Sequence, residues 1–218
     1  MINAPIPPIS NETNSLERSQ TGPFLAGLLS IALVGLCAVT YWNGEGSLDA
    51  VRLIDRLMIR IAVVFFSLTF AASELRAFFS GKITDWLFSN RRDLIISFVV
   101  AFMLHLCAIA RFYTLDQHSF RSASPILSEV LRSVGLAFIL LMLVDALIGG
   151  LTGRWKVLNA FGAYYLWGAF LNGFGKRISL DQFYVLPVAL LVMVLILKMV
   201  GLMRRLPPGR DQSSAMPQ

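Results

Sequence analysis

Hydrophobic residues in this chain fall in long, nearly unbroken runs, unlike the alternation of a strand or the one-sided stripe of a soluble helix. Crossing a hydrocarbon core about 30 Å thick takes about 20 mostly apolar residues in a helix. Windows of about that length occur at 24–42, 57–79, 93–113, 129–150, 157–174 and 183–203, the fifth being the shortest. The first has Pro23 where a helix tolerates it, at the first turn, and ends in Tyr41-Trp42, a pair suited to a membrane interface. The second carries Arg60, Glu74 and Arg76 near its ends, where long side chains can snorkel. The pattern predicts an all-α fold, a polytopic bundle of six transmembrane helices over 23–205, flanked by disordered tails at 1–22 and 206–218. Of the interior connections only 114–128 has room for a feature of its own, such as a short surface helix; the others read as brief turns. No soluble segment is large enough for a separate catalytic domain, and no internal repeat is visible.

Composition agrees with the pattern. Of 218 residues, 56% are hydrophobic and 15% charged, against about 45–50% and about 25% in soluble domains. The net charge of +6 would suggest nucleic acid in a soluble protein. Here Lys and Arg sit in short loops, where they set topology and the partner is the lipid bilayer. Arg18, Arg76, Lys82, Arg91, Arg92, Arg154, Lys156, Arg204, Arg205 and Arg210 fall on one side, and Arg52, Arg56, Arg111, Arg121, Arg132, Lys176 and Arg177 on the other. This bias predicts a bacterial inner-membrane protein with both termini in the cytoplasm. The first twenty residues lack the basic start and apolar run of a cleaved signal. Cys37 and Cys107 lie inside predicted helices, far from any CxxC spacing, and read as packing residues. There is no GxGxxG after a strand, Walker loop, CxxC pair or HExxH helix. A flavin, nicotinamide or nucleotide used by this protein would therefore sit on another chain.

Ionisable groups at membrane depth are costly and mark functional candidates. His105, in SFVVAFMLHLCAIARF, is the sharpest, because an imidazole can ligate a metal or haem iron; its ordinary role would be a hydrogen bond inside the bundle. Asp145 and Glu74 are expected to form structural ion pairs with Arg76, Arg91 or Arg92, and Arg60, Arg111 and Lys198 to snorkel to an interface. The fifth span holds Asn159 and Asn172, thirteen residues and so about 20 Å apart along the axis. Gly162, Ala163, Gly168 and Ala169 between them allow close helix approach.

The segments RRDLIISFVVAFMLHLCAIARFYTL (91–115) and WKVLNAFGAYYLWGAFLNGFGKR (155–177) resemble the ferric-reductase-like transmembrane domain family. That family includes ferric reductases, NADPH oxidases and the haem subunit of the periplasmic methionine sulfoxide reductase system. The likeness covers about 88–203. In that family two helices each carry two haem ligands thirteen or fourteen residues apart, so that one haem stacks near each leaflet. Arg91 and His105 keep this spacing here, as do Asn159 and Asn172; the resemblance pairs Arg91 with Asn159 at an inner site and His105 with Asn172 at an outer one.

The departure lies in the ligands, because a neutral carboxamide binds haem iron poorly beside imidazole, thiolate, thioether or phenolate. The inner pair then lacks a strong ligand, while the outer pair keeps His105, with His118 of the long loop as a candidate to fold back over it. The resemblance implies at most one haem b, at the outer site, with Asp145 and Glu74 paired to Arg91 or Arg92 where the inner macrocycle would have been. Two functions follow as expectations. One is a one-haem electron-transfer oxidoreductase subunit working with a separate flavoprotein, quinol or periplasmic redox partner. The other is a haem-free structural or assembly subunit that uses the vacated cavity for a lipid, quinone or partner protein. A small transporter would want broken helices near the midplane, which the pattern does not offer.

Overall fold

Each of the six apolar stretches forms a long helix, and a seventh, short helix appears where a turn was expected. The computed structural model describes residues 24–118, 126–179 and 182–205, and the side chains of these except 126–131 and 205. The expected tails at 1–22 and 206–218, and the middle of the 114–128 connection, lie outside the described residues. In chain order the helices are α1 (Phe24–Asn43), α2 (Leu48–Phe78), α3 (Lys82–Ser89), α4 (Arg91–Leu115), α5 (Ile126–Ile148), α6 (Gly153–Gly175) and α7 (Val185–Arg205). A single 3₁₀ turn, Gln182–Tyr184, leads into α7. No strand occurs among the described residues, as the all-α reading expects.

Three stretches are long and apolar enough by themselves to cross a membrane: Phe24–Asn43, Arg91–Leu115 and Gln182–Arg204. Much of their surface faces outward, with Phe24, Ile31, Trp42 and Leu186 each more than two-thirds exposed. Large contiguous apolar surface of this kind calls for an apolar solvent or a partner.

α2 is the central helix and packs most extensively on α4. It begins nine residues before the predicted span, because Ser47 caps it by accepting a hydrogen bond from the Ala50 amide at 3.3 Å. Val51, Ile54 and Met58 then continue a buried stripe at helical spacing. At 31 residues and about 1.5 Å rise per residue, α2 is about 46 Å long and carries charged residues in its first turns. Ala62 and Ala101, both fully buried, sit within α2 and α4 and permit close approach of these helices.

α3 corrects the expectation of a simple turn after the second span. Thr84 Oγ1 donates to the carbonyl oxygens of Phe79 and Gly81, holding the entry to the helix, and Leu87 is buried while Ile83 and Trp86 stay exposed. One buried and one exposed apolar face on so short a helix suits a position along an interface.

α5 and α6 form a hairpin whose turn uses Gly149 and Gly150 at φ 81° and 125°, a region closed to most side chains. Within the hairpin, Gly162 lies directly against the Phe138 ring, so that a methyl group there would collide with it. α6 is tied to α7 by the Trp167 indole N–H, which donates to the Leu191 carbonyl at 2.9 Å. Paired contacts fix the directions. Asp55 meets His105 and Phe66 meets Phe98, so α2 and α4 run antiparallel. Arg60 meets Tyr184 and Glu74 meets Lys198, so α2 and α7 run parallel. The starts of α2 and α7 and the ends of α4 and α6 thus share one end of the bundle.

Candidate functional site

Polar side chains surrounded by apolar helices are the places to look for chemistry, and three contacts that involve the residues singled out by the sequence are described in turn. The first joins α4 to α2. His105 Nδ1 lies 3.2 Å from the Asp55 carbonyl oxygen and 2.8 Å from Asp55 Oδ1, with both side chains largely shielded. The ring N–H is aligned on the carbonyl; Oδ1 lies off that axis and keeps an electrostatic contact without a well-formed hydrogen bond. Because both neighbours are acceptors, the proton of a neutral imidazole belongs on Nδ1, which leaves the lone pair on Nε2.

The second contact closes the α5–α6 hairpin. Asp145 Oδ1 accepts from the Leu151 amide at 2.5 Å and Oδ2 accepts from Asn159 Nδ2 at 2.8 Å. A carboxylate in the last turn of α5 faces the negative end of that helix dipole, and the two N–H donors offset the mismatch. The expected pairing of Asp145 with Arg91 or Arg92 does not form; both arginines are exposed. The turn geometry brings backbone and carboxamide donors closer than any guanidinium.

The third contact is an ion pair. Glu74 Oε2 lies 2.7 Å from Lys198 Nζ, with side-chain exposures of 7% and 16%. Ser73 donates its hydroxyl to Glu74 Oε2 at 2.5 Å, and the ammonium sits 4.7 Å from the centre of the Phe70 ring. Here too the expected partner is replaced. Arg76 instead meets Asp85 of α3 at 3.0 Å and stacks over Phe88, while Lys198, expected to snorkel, turns inward because the parallel α2–α7 packing places a carboxylate beside it.

Between α2, α4 and α6 the space is filled by rings. Phe66, Phe98 and Phe170 meet with centroids 5.4–6.3 Å apart, and Phe102 bridges from Phe170 at 6.5 Å to His105 at 5.6 Å. Phe66 and Phe98 are 0% and 1% exposed. Such edge-on and tilted contacts are the favoured geometries of aromatic pairs, and they give this core its density.

The chain matches no family profile, no curated protein and no solved structure.

The five positions that the sequence singles out for haem are not gathered around a common centre of donors. Arg91, Asn172 and His118 are exposed, Asn159 is engaged with Asp145, and His105 is engaged with Asp55. Among the described residues no group of three or more His, Cys, Asp or Glu could hold a metal ion. As a donor set these residues do not fit a haem held between two protein ligands: one imidazole nitrogen is offered, and the region between α4 and α6 is occupied by Phe98, Phe102 and Phe170.

Asp55 is the functional residue that sequence reasoning missed. It lies ahead of the predicted second span, in turns assigned to a loop, although Ser47 and the Val51, Ile54 and Met58 stripe signal that the helix starts earlier. The Glu74–Lys198 pair left a fainter trace, as one unmatched acid and one unmatched base in two apolar runs.

Proposed function

We propose that this chain is a six-span integral membrane protein, a divergent ferric-reductase-like scaffold without haem in its core, that acts as a binding or assembly subunit beside other membrane components. One observation carries the reading: the Phe66, Phe98, Phe102 and Phe170 cluster packs where the resemblance would put a macrocycle. The replacement of three imidazole positions by Arg91, Asn159 and Asn172 supports it from the chemistry of the donors. In this reading the buried polar contacts do structural work by tying neighbouring helices together. The charge bias of the loops supports placement in a bacterial inner membrane with cytoplasmic termini.

The second reading, a one-haem electron-transfer subunit with a separate redox partner, is favoured by one feature. A histidine whose Nδ1 is held by a carboxylate residue and whose Nε2 is left over has the arrangement common among metal-ligating imidazoles. The absorption spectrum of the purified full-length protein, expressed with ample haem supply, separates the two. The haem-free reading expects no Soret band before or after dithionite. A stoichiometric band that shifts on reduction and disappears in His105→Ala overturns it.

A further inference from the structure

The charged start of α2 carries two exposed arginines, Arg52 and Arg56. It forms one wall of a cavity of about 280 Å³ at the end of the bundle shared by the starts of α2 and α7 and the ends of α4 and α6. Arg52 and Arg56, four residues apart and so on one face of α2, line it together with Arg177, which follows α6. Ile109 and Phe112 of α4 and Tyr184 before α7 form its apolar side, and Asp55 is the one carboxylate among the described lining residues. Asp55 already faces His105.

The three cations are weakly committed. Arg52 lies over the Phe112 ring at 5.4 Å and reaches Asp49 at 3.7 Å, but the Asp49 side chain is 94% exposed, and such surface pairs hold little energy. Neither Arg56 nor Arg177 has an ion-pair partner among the described residues. Among the described lining residues three arginines from two elements stand against one carboxylate, a positive balance that suits an anion. Planar guanidinium forks match the oxygens of phosphate, and three of them can serve one phosphate group from several sides, whereas a carboxylate is saturated by fewer.

From this geometry we infer that the cavity binds a phosphate group, supplied by the headgroup of an anionic phospholipid. The choice of source follows from where the cavity lies. Exposed Trp42, Tyr41, Tyr113 and Phe183 all occur at this same end, at the ends of α1 and α4 and before α7, and aromatic residues of this kind mark the headgroup level of a bilayer. The volume is near the lower limit of the roughly 300–1,000 Å³ typical of small-ligand pockets, enough for a headgroup but not for a macrocycle. This inference rests on the membrane-embedded part of the proposed function but not on the absence of haem, which the optical spectrum tests independently of these arginines.

The test is ligand binding to the purified full chain in a neutral detergent, read by native mass spectrometry and by thermal stabilisation. It has three arms: phosphatidylglycerol, phosphatidylcholine and inorganic phosphate. Phosphatidylglycerol is expected to bind and stabilise, with affinity falling about tenfold for each arginine removed in Arg56→Gln, Arg177→Gln and their double variant. Arg56→Lys with Arg177→Lys keeps the charge, loses the forks and falls between. Lys82→Gln with Arg92→Gln, at the opposite end, leaves binding unchanged. Stabilisation by inorganic phosphate alone, equal to that by the lipid and lost in the same variants, supports the phosphate site and overturns the lipid as its source. Equal binding of phosphatidylglycerol and phosphatidylcholine, or undiminished anion binding in the folded double variant, overturns the site altogether.

Discussion

The buried charges at one end of the helix bundle and the exposed arginine cluster at the other are handled in opposite ways. At the end where α2 finishes, Glu74 is matched by Lys198, Arg76 by Asp85 and Asp145 by Asn159 and a backbone amide. These contacts span helices, so each ties two elements together. At the other end Arg52, Arg56 and Arg177 converge around a cavity with little to neutralise them. The difference teaches that the same residue types serve the fold where they are paired and point outward to a ligand where they are not. Pairing inside the protein makes removal of one partner expensive; leaving cations unpaired makes their removal cheap for folding and costly for binding.

The strongest way to break this comparison is at Lys198. Replacing it with Ala leaves the Glu74 carboxylate buried without its counter-charge, and the loss is expected to be about 3–5 kcal/mol in reversible unfolding from detergent. Glu74→Gln with Lys198→Met, which removes both charges, should recover most of it; a single variant as stable as the parent would show that the pair does not tie α2 to α7. Next in size is Asp145→Ala, which strands the Leu151 amide and the Asn159 carboxamide, with a cost of about 1–3 kcal/mol. Unchanged folded yield and thermal stability in detergent would count against the hairpin tie.

At the open end the effects shrink. Asp55→Asn keeps the backbone carbonyl that accepts from His105 and removes the one negative charge among the described lining residues of the cavity. Phosphatidylglycerol affinity should then rise about threefold, as expected for a change in local electrostatic complementarity, with little change in melting temperature; a fall in affinity would mean that Asp55 orders the arginines. Smallest of all is the stability change from Arg56→Gln with Arg177→Gln, below about 0.5 kcal/mol because neither side chain holds two helices together. A large loss in the same unfolding measurement would place these arginines in the fold and erase the contrast between the ends.

The positions of the six long helices were legible in the residues, since apolar runs such as 24–42 and 183–203 carry their own reason to be helical in an apolar solvent. The start of α2 was less visible. Its first nine residues mix Asp49, Arg52, Asp55 and Arg56 with a buried stripe, and a search for unbroken apolar runs passes over a helix whose first turns are charged. α3 escaped for a similar reason, being too short to register as a span. For the candidate site the sequence singled out Asp145, Asn159, Glu74, Lys198 and His105, yet assigned the wrong partners to Asp145 and Glu74. Expected depth along the spans pointed to Arg76, Arg91 and Arg92, while the partners chosen by the fold stand 14 residues away in one case and 124 in the other.

The sequence by itself determined an all-helical chain with outward-facing apolar surface, because hydrophobic run length is a one-dimensional property. Which polar groups meet, and which are left to face a ligand, was decided only by tertiary structure. The parallel run of α2 and α7 brings Glu74 to Lys198, the α5–α6 turn brings Asp145 to Asn159, and the start of α2 gathers three arginines around one cavity. Helix direction and depth set those meetings, and neither is written at any single position in the chain.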